Sequence, residues 1–503
     1  MKSITTLILS IFTAIIFNAC TNENDIQIDN NGIVNGKIAL TQEELTSISF
    51  DDLSEVPENE VLSMITDFIN LKSQNADTRS TATPQFTVKT KSYLKKQSSS
   101  ESTRGVNQAS EESIPVYDII VENDNITSYA VVSADKRAPN VLAFIENFPT
   151  DENEIQEGLN NPNTRAMLSL AKGQLIEDIE NVEQIKTDLR EKTITKICKQ
   201  LNIPFSEYSF EDVADKLSVN GEIITRNHIG VQEPLGNLIA EKKPMCKIIW
   251  EQKAPYNGEC PLNSILIPLG EHSFVVEGRV PAGCVTIACI HAEACVERPS
   301  IGGIPMDWSY YKEAKTMDEG VTPALKLERA QKAIRYIYDQ LGSSPVGAYY
   351  NGTWYVHATG STQGENYIMK NFKYEKHQKF DPDIVLASLN ANKPVYISGE
   401  VYGNQAEDEN DYGWERHAFV IDGYMIRTKL PVMQSSSKAQ TRSDIVQYYD
   451  MYWHINLGWG DNSNAYFRLD SDATCTPQFI DKYGRYNLVP TKDMMIISHL
   501  SIK

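Results

Sequence analysis

The stretch PAGCVTIACIHAEACVERP, residues 281–299, holds three of the chain's eight cysteines within twelve residues, and it admits few structures. No Gly or Pro follows Cys284 until Pro299, so residues 284 to about 296 read as one helix opened by a turn at Pro281, Ala282 and Gly283. At 3.6 residues per turn, Cys284 and Cys289 point roughly 140° apart, and Cys284 and Cys295 share a face roughly 16 Å apart. A disulfide needs Cα atoms within about 7 Å. Zinc sites use closely spaced cysteines on loops or turns. Neither pair can therefore bridge or hold one ion where the helix holds. Cys289 and Cys295 are buried small apolar residues on this reading. Cys284 sits at the helix N-terminus, where the dipole and free amides favour a thiolate. On position alone it is a nucleophile or an inert buried thiol.

A nucleophilic thiol needs a base. Of the eight histidines, His417 opens an apolar strand, HAFVIDGY, after an acidic loop. Downstream, YWHINLGWGD places Asn456 in a neighbouring strand, where its side chain would hold the imidazole tautomer that a cysteine nucleophile requires. Gln252, in IIWEQKAPYNGEC, lies 32 residues before Cys284 and can supply a side-chain donor to an oxyanion beside the backbone N–H of Cys284. Each residue alone has an ordinary structural reading.

The N-terminus carries Lys2 and then an apolar run over residues 7–17, too short to span a bilayer permanently. This is an export signal. Its end, FNAC, is similar to a bacterial lipobox with Cys20 as the lipidated residue; Leu is usual where Phe17 stands, so ordinary signal-peptidase cleavage nearby is the alternative. No other run approaches membrane-spanning length. A net charge of −20 without a basic stripe argues against nucleic acid as partner. Without Cys20 the cysteines are odd in number and irregularly spaced, which does not indicate a disulfide framework; Cys246 and Cys260 are the one candidate pair.

Along the chain, residues 21–56 read as a polar tether, and residues 57–150 as a small α+β domain with a helix and a hairpin around residues 123–125. Residues 151–245 read as a helical spacer ending in a loop that contains Arg226, Lys242 and Lys243. Residues 246–503 begin with helices, including one closed by Gly342, and end in strands, an α+β domain with a helical half packed on a twisted antiparallel sheet.

Taken together, WEQKAPYN, AGCVTIA through to Pro299, MDW at 306–308, KPVYISG, HAFVIDGY and HINLGWGDNSNAYFRLD resemble the streptopain family (peptidase family C10), papain-like bacterial cysteine peptidases made as self-inhibited zymogens. The resemblance covers residues 245–503, and SYAVVSADKRAPNVLAF is similar to that family's propeptide. It implies a papain-like fold behind an α+β inhibitory prodomain. It assigns Cys284 as nucleophile, His417 as general base and then acid, Gln252 to the oxyanion hole, Asn456 to orienting His417, and Trp459 to shielding that pair.

The resemblance also implies extended polypeptide substrates with a hydrophobic residue two positions before the scissile bond, and no metal or organic cofactor. Activation would follow cleavage at Arg226, Lys242 or Lys243, by the chain itself or by another protease. The protein would be exported, anchored to the outer membrane or cell surface through lipid at Cys20, and released by the same cut.

Departures are Leu457 and Asp461 in place of Trp and Gly, Arg416 in place of Gly, His291 in place of Gln, an acidic loop over residues 404–415, and an insertion between Gly423 and Tyr448. They leave an inactive binding or inhibitory module as one alternative, and a papain-like amidase acting on peptidoglycan as another.

Overall fold

The computed structural model describes residues 33–34, 37–49, 55–73, 84–96, 112–123, 126–149, 151, 162–219, 222–223, 238–269, 272–318, 320–350, 353–358, 361–403, 413–428, 449–458, 460, 464–469, 478–480, 486–488 and 492–503. They divide into two compact units. One comprises residues 1–53, 180–233 and 430–440, the other residues 54–179, 234–429 and 441–503.

In the first unit, strands Lys37–Leu40 and Leu217–Val219 pair in parallel within a four-stranded sheet. Helix Gln42–Ser49 begins with a reciprocal cap: Thr41 N–H donates to Glu44 Oε2 at 2.8 Å, and Glu44 N–H to Thr41 Oγ1 at 3.1 Å. Leu45 and Ile48 of that helix are buried with Ile194, Ile197 and Leu217. Residues 37–49, expected as part of a solvated tether, are therefore folded. The cap and two apolar residues one turn apart are enough to fix a short helix whose polar surface disguised it.

The second unit is built on a sheet of eleven strands among the described residues. From one edge the order is Phe372–His377, Lys492–Ile502, Val395–Gly403, Gly413–Thr428, Tyr449–Asn456, Asn464–Arg468, Asn140–Ile145, Ile126–Ser133, Glu112–Asn123 and Gln85–Lys96; Leu238–Lys242 pairs with the later half of Gly413–Thr428. All these pairings are antiparallel. Strand alternation separates two cores. Ala418 and Val420 lie with helix Cys284–Cys295 on one face, while Phe419 and Ile421 lie on the other with Trp453, Phe467 and residues of helix Pro162–Leu201.

Helices and a large antiparallel sheet make this an α+β chain, as expected. The helices Cys284–Cys295 and Ala324–Gln340 lie where the sequence placed them, and strands follow them toward the C-terminus as expected. The expected boundaries at 150 and 245 do not fall between the two units: residues 55–149 and 238–503 contribute strands to one sheet. Strand Gln85–Lys96, which the polar sequence concealed, is the sheet's outermost strand, with Lys89 and Lys91 exposed. Charged residues are what an open edge needs to avoid further pairing. Among the described residues no helix is long and apolar enough to cross a membrane.

Candidate active site

The site is assembled around the start of helix Cys284–Cys295. Gly283 precedes it with φ 85°, a conformation that a side chain would strain, and its carbonyl accepts from Ile287 N–H at 3.1 Å. One residue earlier in the turn, Ala282 N–H donates to the Gln252 carbonyl at 2.8 Å. That bond draws the segment after Trp250 alongside the helix entrance. Trp250 is itself fully buried, with Tyr311 edge-on at 5.1 Å and Tyr256 stacked at 5.7 Å, which anchors the segment.

Cys284 is 7 % exposed and its thiol is hydrogen-bonded to the His417 imidazole. Burial raises its proton affinity. The hydrogen bond and charge of His417, with the backbone N–H groups of Ala418 and Val285, outweigh burial and hold the thiol below its ordinary value. The other cysteines of the helix behave oppositely. Burial, then the nearby Glu293 carboxylate, pushes Cys289 well up, and burial with the neighbouring Cys246 thiol pushes Cys295 well up. One thiol of three is thus set apart by its environment.

Gln252 is completely buried, and neither its side-chain oxygen nor its nitrogen has a hydrogen-bond partner among the described residues. A buried carboxamide without partners costs free energy, so it is the type of group kept for a transient partner. The structure therefore brings together Cys284, His417 and the Gln252 segment.

Asn456 is placed differently from the expectation. It pairs across the sheet with Val420, three residues or about 10 Å along the strand from His417. Its Nδ2 donates to the Ile248 carbonyl at 3.2 Å and lies 3.7 Å from Cys246 Sγ, and its Oδ1 accepts from Gly458 N–H at 3.2 Å. The expected bond to His417 is not among these. Asn456 instead shapes the turn at Gly458, where φ is 76° and an added Cβ would stand 2.7 Å from Ile287 of the site helix.

Other expected residues lie away from the site. Lys242 is inside strand Leu238–Lys242, opposite Tyr424, with its ammonium on Asn392 Oδ1, and Lys243 follows, exposed. Trp459, Asp461, Arg226 and Cys20, and the acidic loop over residues 404–412, fall outside the described residues. Cys246 and Cys260 are both free thiols.

Sequence reasoning missed the Ala418 amide, which faces the thiol; His417, expected to open its strand, lies four residues inside Gly413–Thr428, and Ala418 follows it. It also missed the pair behind the site, His454 Nδ1 to Asp422 Oδ1 at 2.6 Å. Asp422 Oδ2 accepts from Cys246 N–H at 2.7 Å and its carbonyl from Met245 N–H at 3.0 Å, tying residues 245–246 to the strand of His417. The DGY following HAFVI carried that signal. No group of three or more His, Cys, Asp or Glu side chains among the described residues could hold a metal ion.

Residues 250–467 match the family model described as the Peptidase C10 family, a span that contains Gln252, Cys284, His417 and Asn456. No curated protein matches the chain.

Proposed function

Through residues 250–467 the chain belongs to the peptidase C10 family and is a cysteine-type peptidase; from that premise we propose that it is the zymogen of an endopeptidase working through Cys284 and His417. The observation that carries this reading is the geometry of a buried thiol at a helix start, facing the His417 imidazole, whose hydrogen bond and charge favour the thiolate. The Cys284 thiolate attacks a peptide carbonyl carbon, and the Gln252 carboxamide and Cys284 backbone N–H receive the oxyanion. Collapse of the adduct breaks the C–N bond while His417 protonates the leaving amine. His417 then takes a proton from water, which hydrolyses the thioester and regenerates the thiol. Asn456 acts at one remove, by fixing the Gly458 turn against the site helix, and Trp459 shields the pair from water.

Polypeptides are the substrates the family implies, with a hydrophobic residue two positions before the cut. The chain before Met245 keeps the site closed until it is cut within residues 224–245, at Arg226 or at the exposed Lys243 in preference to the ladder-bound Lys242. The leader over residues 1–20 exports the protein and leaves it lipid-anchored at Cys20 on the outer membrane or cell surface.

The chain from residue 22, wild type and Cys284→Ala, incubated with trace trypsin and assayed on casein and with a thiol-directed epoxide, tests this. Activity and labelling at Cys284 in wild type alone are expected, with fragment ends inside 224–245. A processed wild type that stays inert and unlabelled would refute the reading. The bonds that engage Asn456 elsewhere favour a second reading in that event, a papain-like binding module. Release of muropeptides without casein cleavage would point to a peptidoglycan amidase.

A further inference from the structure

The zymogen reading treats everything before the activation cut as a removable inhibitor, yet residues 55–179 are built into the sheet that carries His417. The backbone joins them first. Ala465, Tyr466 and Phe467 pair with Ile145, Phe144 and Ala143, and Glu146 N–H donates to the Asn464 carbonyl at 3.1 Å. Taking Asn140–Ile145 away would leave an open edge of buried apolar residues, a template for aggregation.

Both faces of that junction are then gripped. On one, Phe68 of helix Glu58–Ser73 is fully buried, with Tyr452 edge-on at 5.3 Å, Tyr466 at 6.3 Å and the Arg427 guanidinium 5.1 Å over its ring. On the other, Leu170, Leu175 and Ile179 share one continuous core with Trp453, Ile455 and Phe467. An interface that resembles a core cut in half is the mark of an obligate association.

Buried polar groups cross the same boundary. The Arg468 guanidinium lies 2.6 Å from Asp178 and 2.8 Å from Asp450, with all three side chains 5 % exposed or less. Asn140 Nδ2 donates to Asp450 Oδ2 at 2.7 Å, and the Tyr452 hydroxyl donates to Asn140 Oδ1. Removing residues 55–179 would take Asp178 from Arg468, and Asn140 from Asp450 and Tyr452, and breaking a buried charge network from one side is strongly destabilising.

We propose that residues 55–179 are a permanent layer of the peptidase: a cut within residues 224–245 leaves them bound as a non-covalent second chain, and activation is a nick rather than the departure of this layer. The proposal rests on the zymogen reading only for the position of the cut.

To test it, the full chain from residue 22, carrying Cys284→Ala and a sequence-specific protease site in place of residues 230–236, is cut and run by size exclusion with and without concentrated urea. Co-elution of both fragments at the mass of the uncut chain, with separation only in urea, is expected. Should the fragment beginning near residue 237 run alone while keeping the unfolding midpoint of the uncut protein, the proposal is overturned. Phe68→Ala in the same chain should release the N-terminal fragment at lower urea; separation at an unchanged urea concentration would count against the interface described. Because the measurement uses an inactive variant, its failure leaves the peptidase chemistry untouched, and inactivity of the wild type leaves this result standing.

Discussion

The two faces of the strand Gly413–Thr428 differ in what they were built to hold. Toward the site helix, Ala418 and Val420 are small enough to let Cys284 approach the strand that bears its hydrogen-bond partner, His417. Toward the other face, Phe419 and Ile421 fill a core to which residues 114–179 contribute as much as the late strands do. One face is set for a reacting thiol; the other fixes the strand in place through a segment distant in sequence. The pairing teaches that the position of His417 depends on both, because a strand cannot be displaced on one face alone when period-two alternation ties the two together.

Substitutions on the reactive face should act on rate and not on folding. His417→Ala is expected to lower kcat/KM by about 10³–10⁴-fold. It should also remove the main influence holding the Cys284 thiol low, so that alkylation of Cys284, which in the wild type persists as pH falls below the ordinary thiol range, shifts to higher pH. An unshifted alkylation profile would mean that His417 does not set the thiol. In the core of the other face, Leu170→Ala should cost about 2–5 kcal/mol of stability, read as a fall in the urea midpoint of the inactive chain, with the alkylation profile of the surviving folded protein unchanged. If Leu170→Ala instead altered the profile at full stability, the division between the faces would be wrong. Gln252→Ala should lower kcat by about 10²-fold and leave stability the same or higher, since it removes a buried carboxamide that has no partner among the described residues. A marked loss of stability would show that Gln252 is structural.

The reactive face was the more legible in the sequence. A helix free of Gly and Pro, opened by Gly283, put Cys284 at a terminus by arithmetic, and the strand signal of HAFVIDGY put His417 on a strand, though four residues inside Gly413–Thr428 and not at its start. Asn456 was harder, because its role depends on register: pairing with Val420 sets it beyond the reach the motif suggested, and register is not written in either strand alone. The N-terminal layer was legible as elements and illegible as a layer. Its hairpin read correctly, but nothing local announces that Ile145 will pair with Ala465, some 320 residues away. The outer strand Gln85–Lys96 escaped because an exposed edge carries lysines where an inner strand would alternate apolar residues.

His291 offers the finest test of how the reactive face tolerates its buried groups. The residue is wholly inside the site helix, and burial, opposed by the Asp422 charge, depresses its imidazole from 6.5 to about 4. In the unfolded chain the ring binds a proton near its ordinary value, so between these two values the unfolded state holds more protons than the folded one. Its contribution is therefore fully present above about pH 6.5 and is lost as pH falls toward about 4, amounting to about 2 kcal/mol by pH 5. His291→Gln keeps a polar side chain of similar reach and cannot titrate. Urea midpoints of the Cys284→Ala chain at pH 7 and pH 5, with and without His291→Gln, isolate the effect, since the carboxylates titrate alike in both. The variant should lose less stability on acidification than its parent. An equal drop in the two chains would mean that the imidazole is already accessible to protons in the folded state, and the reactive face would then be wetter than its packing implies.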